Sequence, residues 1–386
     1  LMTGRWPIRY GMAESVITPW RQWGLPTDEH TIADMLGEAG YPRRGCVGKW
    51  HLGHFKRDQL PLQRGFNFFC GHYNGNIDYF TLMREGERDW HRNEKTNPDQ
   101  GYATDLIGRE AAQFIKASDS PFFLYVPFNA PHTPFQAPED LIEKYKAIKE
   151  ERLRTYYAMV DSMDQAIGRI LTALDEKKLT ENTFVLFLSD NGGLERMLPG
   201  TSGPWRGGKG SVYEGGIRVP AVVRWPAGLR GGRKINGLMG YIDIHPTLKA
   251  LAGSTAAPPK PLDGINLLPV LEGKTEAPSR DWFSYIEQGR SGARFALIAE
   301  PWKLVVTRGD VLEADLAKPD GSPLIELFNL DTDPAEKTNL VTTESARAKA
   351  LLQRLKKHRK LKIEGIPDFR AGAKEFKPPK DWIITE

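Results

Sequence analysis

Two short apolar runs, Phe122 to Phe128 and Phe184 to Leu188, are the longest in the chain. Neither approaches the ~20 apolar residues of a membrane-crossing helix, and both are strand-sized. A run without polar alternation is buried on both faces, the condition of an inner strand in a parallel sheet. Around these runs lie stretches of helical period. Ile32, Met35, Leu36 and Ala39 recur at helical spacing, with Thr27 as cap and Gly40 as stop. Gly45 to Val47 reads as a short strand running into Gly48-Lys49-Trp50-His51. A second helix covers Ala103 to Ile115. Leu153 to Leu174 is a long amphipathic helix whose buried stripe is Tyr156, Met159, Val160, Met163, Ile167, Ile170 and Leu171. A strand near Ile217 to Arg224 leads to a helix at Ile244 to Ala252. The alternation predicts an α/β fold, a mostly parallel sheet flanked by helices on both faces.

The texture changes after Gly253. Residues 253–282 are rich in Pro, Gly, Ser and Lys and mark a boundary. Phe295 to Ala299, Lys303 to Val306 and Glu326 to Asn329 predict a small antiparallel sheet, and Ala346 to Leu361 a basic amphipathic helix. The expected organisation is an α/β domain over residues 1–275, a small C-terminal α+β subdomain over 276–365 and a coil tail on the surface over 366–386. The Lys356-Lys357-His358-Arg359-Lys360 run has no interleaved aromatics, so it reads as a solvated face and not as a nucleic-acid or membrane site.

Composition narrows the class. Hydrophobic residues make up 40% and charged residues 26%, which excludes a disordered chain, a collagen or a disulfide scaffold. Lys plus Arg number 53 against 49 Asp plus Glu, a net charge of +4, too balanced to call for a nucleic-acid partner. Cys46 and Cys70 allow one disulfide at most and leave the redox compartment open.

Four polar segments follow apolar strands, and ligand sites in open parallel sheets lie at the carboxyl ends of strands. Lys49 and His51 stand two apart on a turn framed by Gly48 and Gly53, where both could face one anion. His132 is held between Pro131 and Pro134, and a fixed His at a strand end suits general acid work. Asp190 and Asn191 offer hard oxygen donors suited to calcium or magnesium. Lys209, between Gly208 and Gly210, could reach a buried oxyanion. Singly, each has a plainer reading: a surface Lys beside a half-buried Trp-His pair, a packed loop His, an Asp-Asn-Gly turn, a flexible glycine loop. The Gly-x-x-x-x-Gly-Lys spacing of a phosphate loop is not met. Together they fit a hard cation beside a small tetrahedral oxyanion, with histidines to move protons.

The order and wording of the motifs resemble the type I, formylglycine-dependent sulfatase family of the alkaline phosphatase-like superfamily. The resemblance is carried by Thr3-Gly4-Arg5, Gly48-Lys49-Trp50-His51-Leu52-Gly53, Ala130-Pro131-His132-Thr133-Pro134, Ser189-Asp190-Asn191-Gly192-Gly193 and Arg206-Gly207-Gly208-Lys209 with Tyr213-Glu214-Gly215-Gly216-Ile217-Arg218. Asp243-Ile244-His245-Pro246, Leu262-Asp263-Gly264 and Leu327-Phe328-Asn329-Leu330 followed by Asp333, Pro334, Glu336, Asn339 and Leu340 extend it over nearly the whole chain. Leu60-Pro61 with Arg64-Gly65-Phe66 is similar in wording to the arylsulfatase B (N-acetylgalactosamine-4-sulfatase) group. The resemblance implies a sulfuric ester hydrolase acting on a sulfated small molecule or glycan. It implies that Lys49 contacts nucleophile and sulfate, that His51 takes a proton from the nucleophile, that His132 protonates the leaving alcohol and that Lys209 binds sulfate and shares that task. It implies Asp190 and Asn191 as calcium ligands, Tyr213 and Glu214 as shapers of the Lys209 loop, and Trp50 as core. Partners implied are a formylglycine-generating or anaerobic maturation enzyme, and the family is usually periplasmic, secreted or lysosomal. A phosphodiesterase or phosphonate hydrolase of the same superfamily and a non-catalytic sulfated-glycan binder are the alternatives.

Family members carry Cys or Ser, then x-Pro-x-Arg, just ahead of the Leu-x-Thr-Gly-Arg found here at Leu1 to Arg5. The formylglycine is therefore expected upstream of residue 1, with an Asp-Asp pair of the calcium site and a first strand and helix further upstream. Cys46 and Cys70 lack the Pro and Arg context. Asp190 and Asn191 alone are expected to hold calcium weakly, since it takes six to eight oxygens. Residues 1–386 by themselves are expected to leave two sheet edges and an apolar groove open, to fold poorly and to lack sulfatase activity. A cooperative thermal unfolding transition of this chain alone would refute that folding expectation.

Overall fold

The first helix starts where a side chain and a backbone can satisfy each other. The Thr31 hydroxyl accepts the Asp34 N–H at 3.1 Å, and the Asp34 carboxylate accepts the Thr31 N–H at 2.9 Å. Thr27 has His30 three residues on and cannot close this reciprocal pair, so the helix runs Ile32–Glu38 with Thr31 as its cap. The computed structural model describes residues 1–13, 16–287, 292–368 and 371–385.

Strand β1 (Arg43–Lys49) is an inner strand of the main sheet, next to one edge. It is longer at its start than apolar content predicts, because the Arg43 guanidinium rests over the Phe114 ring at 4.8 Å. β1 pairs in parallel with β2 (Phe68–His72) on one side and with β5 (Phe122–Tyr125) on the other. The register sets Lys49 opposite His72 and Cys46 opposite both Phe69 and Tyr125. Two short strands, β3 (His91–Arg92) and β4 (Lys95–Thr96), extend the sheet antiparallel beyond β2. Among the described residues the sheet is thus mixed, with its parallel part confined to three strands. Cys46 packs with the Ile32–Glu38 helix on one face, and Cys70 with the Ala103–Lys116 helix on the other. The two free thiols therefore point into different cores and form no disulfide.

Strands β6 (Val185–Leu188) and β7 (Ala221–Arg224) pair antiparallel as a separate ribbon. Among the described residues, β5 pairs only with β1 and β6 only with β7. This changes the expectation of fully buried strands. All four residues of β5 are half-buried, and Phe187 of β6 is exposed.

The long helix spans Glu151–Glu176, but it is rolled relative to its expected stripe. Of the seven residues expected to be buried only Met159 is; the others that vanish from solvent are Thr155, Ala158, Ser162, Ala166, Ala173 and Leu174, most of them small. The cause is close approach to the Ala103–Lys116 helix. A Cβ on Gly108 would sit 2.7 Å from the Ala166 Cβ, so the helices meet through small residues and the larger apolar side chains flank the seam.

The C-terminal sheet has the order β8 (Trp282–Glu287), β9 (Ala293–Ala299), β10 (Trp302–Thr307) and β11 (Leu324–Asn329), all antiparallel. β8 lies partly in the stretch read as a boundary. The Ser345–Arg359 helix packs Ala348, Leu351, Leu352 and Leu355 onto this sheet. The amino-terminal segment joins the same core: Trp6 meets Trp282 edge-on at 5.0 Å, and Asp263 accepts the Trp6 N–H at 2.8 Å and pairs with Arg9. Within the described part of the tail, Trp382 is buried and its indole N–H donates to the Arg84 carbonyl at 2.9 Å. The tail is therefore stapled into the core there and is not surface coil throughout.

The close helix seam predicts a defined sensitivity. Gly108→Val is expected to destabilise the protein by about 1–3 kcal/mol through overpacking against Ala166. Chemical denaturation reads this directly, and an unchanged midpoint would show that the seam can open.

Candidate functional site

Backbone contact at the carboxyl ends of the parallel strands builds the site floor. A Cβ on Gly48 (φ +129°) would lie 2.2 Å from the Pro127 carbonyl, and one on Gly71 (φ +155°) 1.9 Å from the Gly48 carbonyl. Only glycine permits both the conformation and the approach. The Lys49 N–H then donates to the Pro127 carbonyl at 2.8 Å, and the Trp50 and His51 N–H groups donate to the carbonyls of His72 and Tyr73. Trp50 is buried, with its indole N–H on the Gln59 carbonyl at 2.9 Å, so it belongs to the core. His51 adopts φ +54°, a conformation rare outside glycine, which turns its ring from the strand direction. Its Nε2 lies 2.8 Å from the Ile17 carbonyl, so Nε2 carries the proton and Nδ1 is the free acceptor.

His132 sits after β5 in the Asn129 to Pro134 loop. Its N–H donates to the Asn129 carbonyl at 2.8 Å, and its carbonyl accepts the Tyr79 hydroxyl at 2.9 Å. Its Nδ1 lies 2.8 Å from the Thr133 carbonyl, which assigns the proton to Nδ1 and leaves Nε2 as the open nitrogen. Asp190 and Asn191 follow β6. Their turn is locked to the loop behind Lys209, because the Gly192 N–H donates to the Gly216 carbonyl at 3.1 Å and a Cβ on Gly192 would lie 1.8 Å from the Gly215 carbonyl. Lys209 is tied to the same turn by its N–H on the Gly193 carbonyl at 2.8 Å.

The four segments converge, as their mutual electrostatic influence records. Burial lowers the Lys49 ammonium to about 8, with Asp190 opposing and Lys209 reinforcing the shift. Burial likewise lowers Lys209, against the pull of Asp190. His132 falls to about 4, first from burial and then from repulsion by Lys209. His51 falls well below its ordinary value, again from burial and then from Lys49. Both histidines are therefore neutral at pH 7. The arrangement is two desolvated ammonium groups, two neutral imidazoles and Asp190, a setting that favours an incoming anion. Asn191 has its side-chain amide on the Gly192 carbonyl at 3.0 Å, which orients its oxygen away from that bond.

Asp190 and Asn191 have the right hardness for a divalent metal. They are two donors from one turn, and no cluster of three or more His, Cys, Asp or Glu residues fit for a metal occurs among the described residues. These residues do not by themselves make up a calcium coordination sphere. Cys46 and Cys70 are both fully buried, and burial pushes the Cys70 thiol up to about 12.

Sequence reading passed over His72. It lies opposite Lys49 in the register, is fully buried, and is lowered to about 4 by burial. Its Nδ1 lies 2.9 Å from the Asn74 carbonyl. Asp89 behind it is also buried and accepts the N–H groups of Tyr73 and Asn74 at 2.9 Å each. The available signal was position, since His72 ends β2 as Lys49 ends β1. A cavity of about 320 Å³ opens beside His51, walled by Trp6, Ile17, Tyr241 and Phe283.

The sequence pattern of the family described as Sulfatase matches residues 1–254, and that of N-sulphoglucosamine sulphohydrolase, C-terminal, matches residues 207–363. Arylsulfatase J of Mus musculus is 30% identical over 94% of this chain and 67% of its own length. N-acetylgalactosamine-6-sulfatase of Canis lupus familiaris is 35% identical over 71% of this chain, and only 56% of that protein is spanned. The crystal structure of Ps i-CgsB in complex with k-i-k-neocarrahexaose is similar with a TM-score of 0.83 at 30% identity, over 94% of this chain and 81% of that one.

The depressed Lys49 fixes a pH dependence with two signs. Affinity for inorganic sulfate is expected to fall as pH rises through about 8, where Lys49 loses its charge. Unfolded lysine keeps its proton up to 10.5, so the unfolded chain binds more protons in this window and the Lys49 contribution to stability rises with pH. Calorimetric titration with sulfate across the window reads the first sign, and constant affinity would remove Lys49 from the anion site. Lys49→Met is expected to reduce the stability rise, leaving the part contributed by Lys209, whose ammonium burial also lowers.

Proposed function

We propose that this chain, which belongs to the sulfatase family, serves the hydrolysis of sulfate esters of a carbohydrate, with the attacking formylglycine expected upstream of residue 1. The observation that carries the reading is the pairing of two desolvated ammonium groups, Lys49 and Lys209, with the open nitrogen of His132. Lys49 and Lys209 hold the sulfate oxygens, where low solvent access makes each charge count. His132 contacts the ester oxygen through Nε2. Its free imidazole is neutral, and the arriving anion draws a proton onto it by offsetting the repulsion from Lys209 and Lys49. That proton then passes to the leaving alcohol, a task shared by Lys209, whose lowered affinity for its proton makes it a better acid. His51 accepts a proton at Nδ1, the nitrogen left open by its bond to Ile17.

Family membership implies a formylglycine and a metal ion in general. The formylglycine supplies the attacking oxygen when present, and its making requires a maturation enzyme. Calcium is our reading of the metal, with Asp190 and Asn191 as two of its ligands; no step above runs through it. A sulfated glycan is favoured as substrate because similar proteins carry N-acetylgalactosamine-6-sulfatase activity in their names or bind a neocarrahexaose.

Leaving-group dependence tests the assignment of His132 in the natural full-length protein. His132→Ala is expected to lower kcat/KM on a sugar sulfate by about 10²- to 10⁴-fold. The loss should be far smaller on p-nitrophenyl sulfate, whose phenolate departs without a proton. Equal losses on both substrates would take the acid role from His132. Faster turnover of a phosphodiester than of either sulfate would overturn the sulfatase reading.

A further inference from the structure

Glu336 stands in the Asp333-Pro334-Ala335-Glu336 turn, a motif that neither catalysis nor anion binding uses above. Its side chain is 0% exposed, and it pairs at 2.8 Å with the ammonium of Lys303 on β10, which is also 0% exposed. The same ammonium donates to Glu214 Oε1 at 2.9 Å. The second oxygen of Glu336 accepts the Glu214 N–H at 2.7 Å. Glu214 opens the short Glu214–Ile217 helix directly after the Lys209 loop. One buried ammonium thus joins two carboxylates, one from the C-terminal turn and one from the rear of that loop.

Two further ties grip the loop from the same subdomain. Arg206 donates to Glu326 Oε1 at 3.0 Å and to the Glu336 carbonyl at 2.9 Å, with its guanidinium 3.9 Å from the centre of the Tyr213 ring. Arg294 of β9 donates to the carbonyl of Gly210, the residue after Lys209. Inside the loop, the Gly215 N–H donates to the Arg206 carbonyl at 2.8 Å, which closes the ring of contacts around Lys209. Three charges taken out of water make a poor source of net stability, because desolvation offsets their attraction. What such a group supplies well is a fixed geometry, since any slip leaves a buried charge unpaired.

We propose that Glu336, together with Lys303, is a positioning residue that fixes the Glu214 end of the Lys209 loop and thereby aims Lys209 at the anion. The proposal rests on the anion-site reading above. It gives the Asp333-Pro334-x-Glu336 motif a task in a reaction whose centre it does not touch.

A double-mutant cycle on inorganic sulfate binding, measured by calorimetry on the natural full-length protein, separates positioning from general structural support. Glu336→Gln is expected to weaken sulfate binding by about tenfold when Lys209 is present and by less than about twofold in a Lys209→Ala background. Equal losses in both backgrounds would mean that Glu336 supports the fold at large, and unchanged affinity would mean that the clamp does not reach the site; either overturns the proposal. Should Lys209→Ala itself leave sulfate binding intact, the anion-site reading fails and the proposal falls with it. A loss with Lys209→Ala but none with Glu336→Gln sinks the clamp alone. If Glu336→Gln does not fold, Lys303→Met/Glu336→Gln enters the same cycle with the same expectations. That pair removes one charge of each sign and leaves Glu214 its partner Arg218 at 2.7 Å.

Discussion

The site depends on backbone meeting backbone at the ends of β1 and β2. Gly48 and Gly71 have no side chains, and the chain after β5 comes to within hydrogen-bonding distance of Lys49 because of it. A methyl group at either position would meet a backbone carbonyl at about 2 Å and force the strands to shift. From that contact follow the placement of Lys49 at the sheet margin, the turn of His51 out of the strand direction and the seating of His132 one loop away. The glycine-on-glycine contact between the Asp190 turn and the Lys209 loop repeats the device on the other side of the site.

Electrostatics then do what the geometry allows. Burial disfavours the charged forms of both lysines and both histidines, and Asp190 offsets only part of the cost for the lysines. A pocket in which positive groups are held without enough counter-charge is unstable in isolation and tight for an anion. Burial first, and repulsion from Lys209 second, hold His132 in its neutral form.

The C-terminal sheet is more than a cover. Its strands share a core with Trp6 and Ile8 from the start of the chain, and its buried Lys303 reaches the loop that bears Lys209. The long helix shows the opposite kind of contact. Its seam with the Ala103–Lys116 helix is set by Gly108 and Ala166, so the larger side chains expected inside lie at the flanks.

Element type was legible in the sequence because periodicity records which faces meet other chain. The helices at Ile32, Ala103, Glu151 and Ile244, strands β9 to β11 of the C-terminal sheet and the polar turns bearing Lys49, His132, Asp190 and Lys209 follow from local pattern and from the position of ligand sites at strand ends, whereas β8 does not. Hydropathy could not give the roll of the long helix, since the closest contact is made by the smallest residues. His72 and Asp89 were passed over because burial, beside Lys49 for His72 and behind it for Asp89, and not residue type, makes them part of the setting. Tertiary structure alone decided the link from Glu336 through Lys303 to Glu214, because residues over a hundred positions apart acquire a common charge balance only when the chain has closed around them.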